Sequence, residues 1–197
     1  MNMNMTDDQL ITLSRKGDHE AFRELIRKYE SRVAATVISM LGHGPDAEDV
    51  GQEVFIRFYN SLSSFRGDSS VATYLTRIAM NLSLNMLKSR KRRALRFWEK
   101  SVEEHKDLAD ESITEYNGDR ELIHNAVQSL EPAFRSVIVL RLMEGYSTRE
   151  TADILNIPEG TVLSRLARAQ KKLKDLLSPY FGENYERVHT RPAASVV

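Results

Sequence analysis

STRETADILNIPEGTVLSRLARAQKKL, Ser147 to Leu173, holds two helical patterns separated by a break at Asn156-Ile157-Pro158. Ser147 followed three residues later by Glu150 spells a capping box, so a helix is predicted to start there. Asn156 to Pro158 ends it, and Pro158 is placed to open the next one. At about 100° per residue, Val162, Leu166, Ala169, Leu173 and Leu176 fall in one narrow stripe, the predicted buried face. Opposite them lie Ser164, Ala167, Arg168 and Lys171, with Thr161 and Arg165 on the flank. Small side chains let a helix backbone enter a major groove, where Arg pairs bidentately with guanine. Arg165, Lys171 and Lys172 suit phosphates. The pattern reads as a helix-turn-helix with Gly160-Thr161 early in its recognition helix. An ordinary amphipathic helix with a solvated basic face would use the same residue types.

Outward from this stretch, the totals restrict the class. The chain has 197 residues, 41% of them apolar and 28% charged, with five Pro and nine Gly. That length suits one medium domain or two small ones, and the composition is that of a soluble helical protein. Cysteine is absent, which removes disulfides, thiol catalysis and Cys-ligated zinc. No apolar run approaches the roughly 18 residues of a membrane span, and the first ten residues lack a signal-peptide layout. A cytoplasmic protein without direct membrane insertion is expected.

The zero net charge hides an asymmetry. Residues 1–98 hold 15 Lys/Arg against 11 Asp/Glu, residues 99–131 hold 3 against 10, and residues 132–197 hold 10 against 7. Two mildly basic blocks joined by an acidic connector favour two domains. Nearly everything outside the connector has helical periodicity, so the predicted fold is all-α. Residues 1–97 are assigned to a first domain, 98–118 to a flexible linker, 119–180 to the helix-turn-helix domain and 181–197 to a loose tail. Within the first domain, helices are predicted over 8–41 with a break near Gly17-Asp18, from Asp46 to about Ser61, and from Val71 to about Arg93.

Two surfaces of the first block stand out. On the helix 46–59, Ala47, Val50, Val54 and Phe58 form the inner stripe. The outer face shows Glu48, Asp49, Gln52 and Glu53 together with Ile56 and Tyr59. DNA would repel such a face, whereas exposed Ile and Tyr are typical interface anchors, so this helix should meet a protein. Along 74–88, Leu75, Ile78, Ala79, Leu82 and Met86 are predicted inside. Tyr74, Arg77, Asn81, Asn85 and Lys88 form an opposing strip, followed by Arg90, Lys91, Arg92, Arg93 and Arg96. An aromatic ring, amides and cations suit single-stranded nucleic acid. Phe65, Arg66, Ser69, Ser70 and Thr73 precede the strip and could enclose a base pulled from its stack.

Catalysis finds no support. His19, His43, His105, His124 and His189 are scattered with no pair at metal-ligand spacing, and no phosphate loop or nucleophile elbow occurs. Asp46, Glu48 and Asp49 have no base, nucleophile or metal placed beside them. Neither enzyme activity nor a cofactor or metal is expected.

"DAEDVGQEVFIRFY" (46–59), "FRGDSSVATYLTRIAMN" (65–81) and "EGTVLSRLARAQKKL" (159–173), in that order, resemble three signature stretches of bacterial extracytoplasmic-function (ECF) sigma factors. The resemblance covers roughly residues 8 to 177. It implies a sigma region 2 helical bundle that docks on the clamp of core RNA polymerase and captures the melted −10 element. It also implies a sigma region 4 helix-turn-helix that reads the −35 element as duplex. By position, Asp46, Asp49, Gln52, Glu53 and Phe55 fall in the clamp-binding stretch, Phe55 in a supporting role. Phe65, Arg66, Ser69, Ser70, Thr73, Tyr74 and Asn81 fall in the strand-capture region. Thr161, Ser164, Arg165, Ala167 and Arg168 fall on the −35-reading helix. Tyr74 stands where the family usually has Trp, Asn85 replaces a commonly acidic position, and Leu163 and Ala167 replace larger or charged side chains. The promoter sequence therefore does not transfer from a relative.

The resemblance further implies an anti-sigma partner, often membrane-bound, that covers the polymerase-binding surfaces. It also implies that the acidic linker, through Glu103, Glu104, Asp107, Asp110 and Glu111, threads a polymerase channel built for RNA. A conventional helix-turn-helix repressor or activator would account equally for residues 119–177. It would leave the exposed Ile56 and Tyr59, the base-capture loop and the acidic connector without a purpose.

Overall fold

In a computed structural model the described residues are 5–101 and 118–181, with side chains over 5–96 and 118–181. They form an all-α protein. The first domain holds α1 (Asp7–Arg15), α2 (His19–Leu41), α3 (Pro45–Ser61) and α4 (Val71–Ser101). The second holds α5 (Asp119–Ser129), α6 (Pro132–Ile138) with a π-helical turn Val139–Met143, α7 (Thr148–Leu155) and α8 (Glu159–Phe181).

Local sequence explains the boundaries. Thr6 and Gln9 make a reciprocal capping box at α1, and the Asp18 carboxylate accepts from the backbone N–H groups of Glu20 and Ala21 to start α2. Between them Gly17 sits at φ +89°, a conformation that favours glycine. The expected box at α7 is present: Glu150 N–H donates to Ser147 Oγ at 3.2 Å, and Ser147 N–H to Glu150 Oε2 at 2.8 Å. Asn156 then adopts the left-handed conformation that ends α7, and α8 begins directly after Pro158.

The predicted inner stripe of α3 is buried throughout, as are Leu75, Ala79 and Leu82 of α4. Full burial of each large apolar side chain contributes about 1.5–3 kcal/mol. The core does not stop at the first domain. The cluster containing Leu25, Val37, Met40, Phe58 and Leu75 continues through Val127, Leu130, Ile138, Val139, Leu140 and Tyr146 of the second.

Two expectations are corrected. Helix α4, expected to end near Arg93, runs through Ser101. Leu176, placed in the buried stripe of α8, is 44% exposed, and Leu177 takes the inner position. The reason is a change of neighbour: the end of α8 packs against Leu122 and Ala126 of α5. Residues 102–117, including the five acidic linker residues, and 182–197 of the tail lie outside the described residues.

Candidate protein-docking and nucleic-acid surfaces

The acidic face of α3 is built on Pro45, whose fixed φ suits the first helical turn. With Ala47, Val50, Val54 and Phe58 inward, Glu48, Asp49 and Gln52 are exposed, as are Ile56 at 54% and Tyr59 at 39%. The Tyr59 ring is braced edge-on by Phe22 at 4.9 Å. Asp46 is half-buried, and its carboxylate accepts from Arg90 Nε at 2.6 Å, tying the start of α3 to α4. Glu53 accepts from Arg57 at 2.8 Å, an exposed pair that constrains it little. Phe55 is half-buried against the core.

Beside this face lies a groove of about 410 Å³ between α2 and α3, lined by Ile26, Val33, Ile38, Ala47, Gly51 and Phe55, with Glu48 and Gln52 also on its wall. Sequence reading missed it. Its signal was the second apolar row of α2, which a single-stripe reading of that helix overlooks.

The strand-capture region is layered. Phe65, expected beside a captured base, is 8% exposed and stacks edge-on against Phe58 and Tyr74, with ring centres 6.1 and 5.0 Å away. Its ring gains more from burial than from water, so it forms the floor under Tyr74. Arg15 secures the loop by donating to the backbone carbonyls of Leu62 and Phe65. Ser70 Oγ accepts from Thr73 N–H and lies 2.9 Å from Thr73 Oγ1, so these hydroxyls cap α4. Arg66, Ser70, Asn81, Asn85 and Lys88 are exposed, whereas Ser69, Thr73, Tyr74 and Arg77 are half-buried. Arg77 is set against the second domain in a cleft of about 450 Å³ with Ala152, Asp153, Asn156, Ile157 and Pro158. Its Nε is buried without a hydrogen-bond partner.

The helix-turn-helix surface is open. Val162 and Ala169 are fully buried, with Val162 packing against Val137 and Ala152. This sets Ser164, Ala167, Arg168 and Lys171 outward and leaves Thr161 and Arg165 half-buried on the flank, as expected. Leu163 is exposed on the same helix. Lys172 is held by its own domain: Nζ pairs with Glu131 at 3.0 Å and sits 4.9 Å above the Phe134 ring. Hydrogen bonds from Ser147 hold the Glu150 carboxyl below its usual range, so the α7 cap keeps its charge.

Comparison with known proteins follows this division. The family "Sigma-70 region 2" matches residues 25–93, and "Sigma-70, region 4" matches residues 120–173. The chain is 34% identical over 188 residues to the ECF RNA polymerase sigma-E factor of Escherichia coli, covering 91% of this chain and 98% of the relative. It is 31% identical over 195 residues to the RNA polymerase sigma-H factor of Pseudomonas aeruginosa, covering 90% and 96%. Among solved structures, CnrH in complex with the cytosolic domain of CnrY aligns at TM-score 0.62 and 26% identity over 88% of this chain and 98% of that one. The sigma factor RpoE of Bartonella quintana, in complex with the anti-sigma factor NepR, shares the fold at TM-score 0.61 and 24% identity over 80% and 96%. Both helical units are thus accounted for in order and nearly end to end, and the chain belongs to the extracytoplasmic-function sigma factors of RNA polymerase.

Proposed function

We propose that the chain binds the clamp of core RNA polymerase through α3 and divides promoter reading between two surfaces. Ser164, Ala167 and Arg168 of α8 read the −35 element as duplex, with Arg165 and Lys171 against phosphates. The strip Tyr74, Arg77, Asn81, Asn85 and Lys88 captures the melted −10 strand, supported by Arg66, Ser69, Ser70 and Thr73. The observation that carries this reading is the contrast between two exposed faces. An acidic face with apolar anchors lies on α3, and a basic face with small side chains lies on α8. Binding the open form alone shifts the melting equilibrium toward it, so no nucleotide or metal is needed.

A relative that assembles with the cytosolic domain of another protein supports an anti-sigma partner for this chain. The apolar groove between α2 and α3, beside Glu48 and Gln52, suits a partner helix of that kind.

The test adds purified chain to core polymerase and measures promoter-specific transcripts. Specific initiation is expected; duplex binding by the chain alone, with nothing conferred on core enzyme, would instead identify a conventional helix-turn-helix regulator. Charge reversal at Asp49 and Glu53 should abolish assembly with helicity unchanged, and intact assembly would overturn the docking assignment.

A further inference from the structure

Leu163 has no place in the division of α8 described so far. It is 55% exposed, whereas Leu166 and Leu173 of the same helix are half-buried against the core. At about 100° per residue it lies roughly 40° from Ala167, one turn on, and roughly 60° from Gly160, one turn back. Among the described residues, no heavy atom stands within 4 Å of where a Cβ on Gly160 would sit, so the backbone can be approached closely there. The outward face of α8 therefore has two edges. Ser164 and Arg168 make a polar one; Gly160, Leu163 and Ala167 make an apolar one, and all five residues are exposed.

A single exposed leucine is ordinary on a protein surface. The surroundings of this one indicate what covers it. Arg168, Lys171 and Lys174 are exposed on the same helix, with Arg165 half-buried on the flank, and this cationic frame favours a polyanion over a neutral protein face. In a major groove the polar edge has hydrogen-bonding partners on every base pair. The apolar edge has one: of the four bases only thymine presents a methyl group there. Leu163 and Ala167 are about 6 Å apart along the helix axis, close to two base-pair steps of about 3.4 Å, so the two edges reach neighbouring pairs together.

We propose that Leu163 is a specificity-determining residue whose side chain packs on the 5-methyl group of a thymine in the −35 duplex. Gly160 and Ala167 permit the approach, and Arg168 reads a guanine nearby. The proposal rests on the assignment of α8 to that duplex. Cytosine in the same place offers a hydrogen where thymine has its methyl, so Leu163 selects against it without any hydrogen bond.

The test presents the full chain with core polymerase to duplexes randomised over the −35 element, and the retained sequences should contain thymine near a guanine. Each thymine is then replaced in turn by deoxyuridine, which removes the methyl and keeps every hydrogen-bonding group. At one position this should weaken binding about fourfold, the effect expected of one buried methyl group. Leu163→Ala, with helicity unchanged, should bind the thymine duplex more weakly and no longer distinguish it from the deoxyuridine duplex. Leu163→Met should keep the distinction. A retained element without thymine, deoxyuridine tolerated at every position, or undiminished sensitivity in Leu163→Ala would each overturn the contact. So would a Leu163→Ala variant that keeps full duplex binding and loses only a protein partner. Arg168→Ala separates this proposal from the reading beneath it. If that variant binds duplex weakly while deoxyuridine is tolerated, the role of α8 stands and the thymine contact falls; if it too has no effect, the assignment of α8 fails and the contact with it.

Discussion

Helices α4 and α8 both carry a basic, polar face, yet the fold treats them differently. On α8 the groove-reading residues stand clear among the described residues, because Val162 and Ala169 anchor the helix from behind and Ser164, Ala167, Arg168 and Lys171 point outward. On α4 the strip is graded: Asn81, Asn85 and Lys88 are open, Tyr74 is half-buried against Phe58 and Phe65 of its own domain, and Arg77 is half-buried in the cleft it shares with α7. A periodic pattern sets which residues share a face, but whether a face is free depends on what arrives from a distant part of the chain. Promoter reading by α8 should therefore behave as a local property, and strand capture by α4 as a property of the whole molecule.

The largest effect should come from removing the shared floor. Phe58 is fully buried and touches both Phe65 and Tyr74, so Phe58→Ala should cost about 3–5 kcal/mol. Urea denaturation would measure it, and strand capture should fail along with stability. Arg168→Ala should lower affinity for a duplex −35 element by about 1–3 kcal/mol without changing stability. Pre-melting the −10 region should not rescue it. Asn81→Ala should show the reverse, with duplex binding kept and capture of a melted strand weakened. Identical behaviour of these two variants in a binding assay would erase the contrast between the helices.

A smaller effect is expected at the α7 cap. Ser147→Ala should cost about 1 kcal/mol in thermal unfolding, and as a local change it should leave strand capture as it is.

Acidification sharpens the comparison from the other side. His124 on α5 faces His43, in the turn after α2, at a ring-centre distance of 5.7 Å. Its pKa is pushed below the ordinary value by burial first, then by His43 and Arg135, with Glu121 opposing; Arg120 lies along the same cleft. The packed state thus disfavours a proton that separated domains would accept. Packing is fully favoured above the ordinary histidine pKa of about 6.5 and weakens as pH falls through it toward the lowered value. Dye separation between the domains should rise modestly from pH 8 to pH 6, and His124→Asn should flatten the profile.

Much of this molecule was legible from its residues because the relevant forces act over short spans. The α7 capping box, the stop at Asn156, the inner stripe of α3 and the outward set on α8 each depend on neighbours within about four residues, where helical geometry is nearly invariant. Where the stripe of α8 departed from that reading, a long-range partner intervened: α5 shifted the inner position from Leu176 to Leu177. Distant partners also set contacts that no local pattern announces, Arg90 with Asp46 and Phe58 and Tyr74 around Phe65. The order of amino acids alone determined the helices, their inner and outer faces, and the segregation of acidic from basic surface. Only tertiary packing decided that Arg135 and Gln128 would complete a helix of the other domain and that Arg77 would meet α7. Those contacts join residues dozens of positions apart, and no local periodicity encodes which of many compatible surfaces will meet.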